Sequence, residues 1–172
     1  MIKYREEFHY RVELLVPDHD RFEFSCGNPA LDTYIRDQAG QDSKPKLAAV
    51  FVLTLDGKTI AGYYTRSAHA INAADLPPAL EEKLPRLPVP VALLGRMAIS
   101  HLFQRRGLGE FVLLNALERA LPGSTQIASW ALVADAKAGS RDFYLKHSLP
   151  PLPNTPHRLF LPMKTIETLF TH

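Results

Sequence analysis

Gln104-Arg105-Arg106-Gly107-Leu108-Gly109 separates an apolar, strand-like run, Val91 to Ile99, from a long amphipathic run, Glu110 to Leu121. A strand, a tight glycine turn and a helix in that order present free backbone N–H groups at a helix N-terminus. Such a concave set suits a phosphate or pyrophosphate. At Gly107 and Gly109 the missing Cβ lets the backbone turn sharply and lets an anion come close. Arg105 and Arg106 add positive charge at the mouth. The competing reading of the same residues is a basic turn that only caps a helix. Two better-known phosphate loops do not fit. Gly-x-x-x-x-Gly-Lys-Ser/Thr is absent, and so is Gly-x-Gly-x-x-Gly; the glycine turn also lies late in the chain.

Outward from this loop the chain alternates strand and helix signals. Val12 to Val16 is a short apolar strand ended by Pro17, and Asn28-Pro29 reads as N-cap and first helical position. Leu31, Tyr34 and Ile35 form the apolar stripe of that helix, and Gly40 through Lys46 is a polar break. Leu47 to Leu55, the Asp56-Gly57 turn and Thr59 to Ala70 predict a β-hairpin. A connection with five prolines, Asp75 to Pro90, leads to the strand Leu93 to Ile99. After the glycine loop, Leu108, Val112, Ala116 and Leu117 mark a buried helix stripe, which Pro122-Gly123 is expected to stop. Gln126 to Val133 reads as a strand, Ala136 to His147 as a helix and Arg158 to Met163 as a final strand. The result is an α/β fold in one domain spanning 1–172, its mixed sheet antiparallel at the start and parallel around the glycine loop.

With 172 residues, 46% of them hydrophobic, the chain can bury a proper core. A net charge of +2 permits an anionic partner without demanding one. The single cysteine, Cys26, excludes an internal disulfide and any multi-cysteine zinc site. The start, Met1 to Glu7, is charged where a secretory signal needs an apolar core, and no apolar run approaches the roughly 20 residues that span a bilayer. A soluble, cytoplasmic protein without a membrane partner is expected.

The Gln-x-x-Gly-x-Gly pattern resembles the acyl-CoA pyrophosphate loop of the GNAT N-acetyltransferases. Leu93-Leu94-Gly95-Arg96-Met97-Ala98-Ile99, the loop 104–109 and Phe143-Tyr144-Leu145-Lys146-His147 are similar to successive motifs of that family. The opening Phe24-Ser25-Cys26-Gly27-Asn28-Pro29-Ala30-Leu31-Asp32, the strand Ile60-Ala61-Gly62-Tyr63-Tyr64 and the tail His157-Arg158-Leu159-Phe160-Leu161-Pro162 resemble one branch of it, the toxins of type II toxin–antitoxin pairs. The resemblance implies a partly splayed GNAT-like sheet and acetyl-CoA as co-substrate. It implies acetylation of the α-amino group of an aminoacyl-tRNA, which blocks translation. It also implies a ribbon-helix-helix antitoxin as partner, and it leaves a homodimer open. Ser100 stands where many members carry an acidic residue, Ser148-Leu149 replaces a usual Gly-Phe, and Asp135 lies near a common asparagine contact to the cofactor.

By the same resemblance, backbone groups of Met97, Ala98 and Ile99 serve the pantetheine arm beside a bulge that splays two parallel strands. Gln104, Arg105, Arg106, Gly107, Leu108 and Gly109 hold the pyrophosphate. Tyr144 sits where the family's general acid sits. A phenol with an ordinary pKa of about 10 is protonated at neutral pH and can donate to a departing thiolate. The plain alternative is a packed helix aromatic. Cys26 has no identifiable base beside it, so burial is its expected role. The seven histidines, His9, His19, His69, His101, His147, His157 and His172, lack metal spacing and read as surface or loop residues. Arg96, Arg105, Arg106, Lys137, Arg141, Lys146 and Arg158 come from segments flanking the cofactor slot and could contact RNA phosphates. Two other functions remain open: acetylation of a small-molecule or protein amine, and a non-catalytic module that binds acyl-CoA or an antitoxin.

Overall fold

A computed structural model describes residues 9–136 and 139–171; the charged start 1–7, Lys137 and His172 lie outside the described residues. Seven strands, β1 (Arg11–Leu14), β2 (Ala49–Thr54), β3 (Gly62–Ile71), β4 (Val89–Ile99), β5 (Ala131–Asp135), β6 (Pro151–Leu152) and β7 (Thr155–Pro162), form one mixed sheet. Their order is β1-β2-β3-β4-β5-β7-β6. The α/β class and mixed sheet expected from sequence are therefore what the chain forms. β1, β2 and β3 pair antiparallel, β4 and β5 parallel, and β5 and β7 antiparallel.

The chain makes two compact units. One draws on residues up to Arg66 and on Arg96–Ala116; the other draws on Ser67–Gly95 and on residues from Leu117 onward. In the first, helix α1 (Pro29–Thr33) starts as the sequence indicates: Asn28 Oδ1 accepts from the Ala30 and Leu31 amides at 3.1 and 3.4 Å. The helix does not stop at the expected polar break. It runs on through a π-helical turn, Tyr34–Gln38, into α2 (Ala39–Ser43). Tyr34, Ile35 and Ala39 are buried with Phe24, Val50, Val52, Ile60, Tyr63 and Ala98, so the polar stretch is only the outer face of an anchored helix. Fully burying such apolar side chains stabilises by about 1.5–3 kcal/mol each. That outweighs weak local propensity.

In the second unit Ile71, Leu76, Val89, Val91, Ala131, Val133, Leu152 and Phe160 form the core. β5 is buried at each of Ala131–Ala134, as a strand covered on both faces must be. It starts later than Gln126, because the glycine-loop helix α4 (Leu108–Gln126) continues through Pro122 rather than ending there. The Pro122 ring is exposed, and the Ser124 hydroxyl donates to the Leu121 carbonyl at 2.6 Å. The proline-rich connection carries a short helix, α3 (Pro78–Glu81), with Pro78 in its first turn, where its missing N–H costs nothing. The helix predicted over 136–147 is shorter, α5 (Arg141–Lys146), and the final strand leads into an unanticipated helix, α6 (Met163–Phe170). Among the described residues no helix is long and apolar enough to cross a membrane.

Candidate active site

The glycine loop is built as its residue types require. After a 3-10 turn, His101–Phe103, the backbone passes through positive φ at Arg105 (64°) and again at Gly107 (75°) before α4 begins at Leu108. The Phe111 amide makes the first helical bond, to the Gly107 carbonyl at 3.2 Å. The amides of Leu108, Gly109 and Glu110 precede that bond and point out of the helix start. A Cβ added to Gly107 would meet nothing within 4 Å, so the space beside this turn is open. Leu108 is buried and anchors the helix, while Gln104, Arg105, Arg106 and Gly107 are exposed. The Arg106 guanidinium lies 5.6 Å from the Phe103 ring centre.

Gln104 does something the sequence did not disclose. Its side-chain amide donates to the Ile99 carbonyl at 2.9 Å and to the Cys26 carbonyl at 3.2 Å. One residue thereby ties the loop to the end of β4 and to the segment before α1. Its side-chain donors are spent on the protein, which leaves anion binding to the backbone.

β4 changes character along its length. Its pairing with β5 runs from Val91 with Ala131 to Leu94 with Ala134, and the strand continues to Ile99. Buried positions fall at Val89, Val91, Leu94 and Ala98, so the period of two slips in mid-strand. On the side of β3, the Arg96 amide donates to the Thr65 hydroxyl at 3.0 Å, and the Ser100 amide to the Ala61 carbonyl at 2.8 Å. Gly62 permits this approach: a Cβ there would lie 3.0 Å from the Ala98 carbonyl oxygen and 2.7 Å from Ile99 Cδ1. Met97 and Ile99 are half-buried and Ala98 is buried.

Tyr144 lies in the second unit, in α5, and only 1% of it is exposed. The helix end fixes it. The Leu149 amide donates to the Tyr144 carbonyl and the Ser148 amide to the Leu145 carbonyl, each at 3.1 Å, with Ser148 at φ 69°. This is a Schellman arrangement, in which glycine normally takes the left-handed position. Ser148 therefore occupies the glycine site in strained form, and buried Leu149 provides the accompanying apolar contact. Burial pushes the Tyr144 phenol well above its ordinary range; a hydrogen bond from Ser140 pulls it down in part, and the Asp135 charge raises it further. The phenol thus keeps its proton.

Several candidates have other duties. Burial, then Asp32, pushes the Cys26 thiol up to about 11, so it is a poor nucleophile, in keeping with the structural role expected of it. His19 is a loop residue, as the surface-or-loop reading allowed, but it is not at the surface. It is buried, accepts from the Val16 amide at 3.0 Å and contacts Glu13 at 2.7 Å, closing the turn after β1. His69 also has a specific partner, Arg158, whose Nη1 donates to its Nε2 at 3.0 Å. Burial, then the Arg158 charge, lowers the His69 pKa, so the ring stays neutral. Asp135 stands opposite Arg158 in the strand register and raises the pKa of both His69 and Tyr144. Arg141 donates to the Pro156 carbonyl at 2.8 Å. Arg96 lies flat over Tyr34, 3.8 Å from its ring centre. Among the described residues no group of three or more His, Cys, Asp or Glu is placed to hold a metal ion.

No known family profile matches the chain. It is 31% identical over 169 residues to a probable toxin TacT of Sinorhizobium fredii, a match covering 92% of this chain and 93% of the relative. It is 32% identical over 151 residues to the tRNA-acetylating toxin of Mycobacterium tuberculosis, covering 87% and 90%. AtaT complexed with acetyl-methionyl-tRNAfMet superposes with a TM-score of 0.87 at 27% identity, over 94% of this chain and 99% of that one. The AtaTR complex bound with acetyl-CoA superposes with a TM-score of 0.82 at 28% identity, over 94% and 98%.

Proposed function

This chain belongs to the family of tRNA-acetylating toxins, and we propose on that footing that it transfers acetyl from acetyl-CoA to the α-amino group of an aminoacyl-tRNA, thereby blocking translation. The observation that carries the reading is the glycine turn: two left-handed residues deliver the first amides of a long helix into open space at the end of β4. Those amides and the flanking Arg105 and Arg106 suit a pyrophosphate. Gln104 holds the turn in shape, and Gly107, Leu108 and Gly109 bring it to the phosphates. The pantetheine arm runs back along the backbone of Ile99, Ala98 and Met97. The domain is read as 1–172, a single acyl-CoA-dependent acetyltransferase.

The acceptor amine must be neutral to attack; with an ordinary α-amino pKa of about 7.7–8.0, a large share is neutral near pH 8. Its nitrogen bonds to the thioester carbon, the C–S bond breaks, and one proton must leave nitrogen while one reaches sulfur. Tyr144 supplies the proton to sulfur. Its phenol is a far weaker acid than a thiol of pKa about 8.5, so a free phenolate cannot persist. Tyr144 therefore gives its proton as sulfur departs and is reprotonated at the expense of the acceptor's ammonium. Acid catalysis of this kind is worth about 10²–10⁴ in rate.

The protein acts in the cytoplasm and is neutralised by a cognate antitoxin of the ribbon-helix-helix type; a homodimer is compatible with the same reading. Cell-free translation charged with the purified protein tests the function. Protein synthesis should stop when acetyl-CoA is added and continue without it. Arrest independent of acetyl-CoA, or no arrest, overturns the reading.

A further inference from the structure

Arg96 is a half-buried cation with no ion-paired or hydrogen-bonded side-chain partner among the described residues. A guanidinium carries five N–H donors, and those of Arg96, spent on no side chain and not among the buried unpartnered atoms, are open to an incoming acceptor. Its geometry is fixed from two sides. The Arg96 amide is held by the Thr65 hydroxyl at 3.0 Å, and the guanidinium lies 3.8 Å from the centre of the Tyr34 ring. That ring is itself immobilised. Tyr34 is 1% exposed, stacks on Tyr63 with centroids 6.1 Å apart, and donates its hydroxyl to Asp42 at 2.9 Å. Stacking occupies one face of the guanidinium and leaves its N–H edge free, the arrangement that binds phosphate or carboxylate through two parallel bonds.

The position along β4 says which anion. The strand leads into the glycine loop, so each residue back from Ile99 lies about 3.3 Å further from that loop. With the pyrophosphate on the loop and pantetheine along Ile99, Ala98 and Met97, Arg96 falls at the acetyl end of the arm. The phosphates of CoA are at the other end. An anion arriving beside Arg96 must come with the acceptor, and the acceptor amine carries none of its own. Resting on the proposed reading of the site, we propose that Arg96, held flat by Tyr34, binds a backbone phosphate of the RNA end that presents the aminoacyl group.

The test uses the intact protein and two acceptors: a charged tRNA, and the methyl ester of the same amino acid, which has the amine but no phosphate. Arg96→Gln removes the charge; Arg96→Lys keeps it but loses the planar stack and the fork. With folding checked by thermal denaturation, both variants should raise KM for charged tRNA by about 10- to 100-fold, the usual worth of a charge-assisted contact. In Arg96→Gln the salt dependence of KM for charged tRNA should flatten by about 0.7–1 in log–log slope. Acetylation of the ester should change less than about threefold, and acetyl-CoA affinity by calorimetry should hold. Equal losses on both acceptors, no loss on either, or weakened acetyl-CoA binding overturn the assignment while leaving the reading intact. Wild-type protein that acetylates the ester but never the charged tRNA overturns both.

Discussion

Gly107→Ala separates the two things this glycine does. Its φ is 75°, and a Cβ added there meets nothing within 4 Å, so the substitution brings no clash. The cost to the free protein is the left-handed backbone alone, about 1–2 kcal/mol for a residue with a Cβ. Roughly 0.4–1 kcal/mol of that is offset because alanine restricts the unfolded chain. The net loss should be about 1 kcal/mol, or about 2–4 °C in Tm for a chain of this size. Binding should suffer more. The new methyl stands in the open space beside the Leu108, Gly109 and Glu110 amides, where the pyrophosphate must sit. Losing one charge-assisted hydrogen bond, about 1.5–3 kcal/mol, weakens acetyl-CoA binding about 10- to 100-fold. Gly107→Asn is the control, because asparagine tolerates left-handed φ far better. It should recover most of the stability yet bind as poorly as the alanine variant. Calorimetry and thermal denaturation of both variants decide it. Unchanged affinity in Gly107→Ala, or affinity restored with stability in Gly107→Asn, refutes the placement of the pyrophosphate.

Tyr144→Phe should lower single-turnover acetyl transfer by about 10²–10⁴ while acetyl-CoA affinity and Tm change little; near-normal transfer by the folded variant moves the acid elsewhere. Because the Tyr144 phenol is held above its ordinary range, wild-type activity should show no alkaline loss from tyrosine ionisation up to about pH 10. Ser148→Gly relieves the left-handed strain at φ 69° and should stabilise by about 1 kcal/mol without loss of turnover, read by denaturant unfolding. His69 carries a depressed pKa, so below its ordinary value of about 6.5 the unfolded chain binds more protons than the folded one. Stability should therefore fall as pH drops from 7 toward 5, and His69→Gln should flatten that slope; an unchanged slope removes His69 as its source.

What the sequence disclosed was local. Asn28-Pro29 at a helix start, the Asp56-Gly57 turn and Gly107 in the loop each act through their own backbone, so residue type alone reveals them; Gly109, expected to turn as well, lies inside α4, and the second left-handed residue is Arg105. Boundaries set by packing were less legible. Nothing near Gly40 shows that buried Ala39 carries the helix on, and nothing near Pro122 shows that Ser124 caps the Leu121 carbonyl. The departure at Ser148 was visible in the sequence, but that the residue holds the left-handed position closing α5 was not. Least legible were partners far apart in the chain. Gln104 bonds a carbonyl 78 residues away, and Arg158 meets His69 across 89. Arg96 appeared among the basic residues, but its seat on Tyr34 had no signature, because an aromatic in a helix stripe reads first as core.

The proposed function turns on whether the acetyl group ends on the α-amine of an amino acid still esterified to tRNA. Charged tRNAs incubated with the protein and labelled acetyl-CoA, then digested with ribonuclease and resolved by mass spectrometry, report on it directly. The proposed transfer requires label in N-acetylaminoacyl-adenosine, with none in uncharged tRNA and labelling about 10²–10⁴-fold slower when Tyr144 is replaced by phenylalanine. Charged tRNA left unlabelled by protein that rapidly acetylates a small amine or a lysine peptide would contradict it.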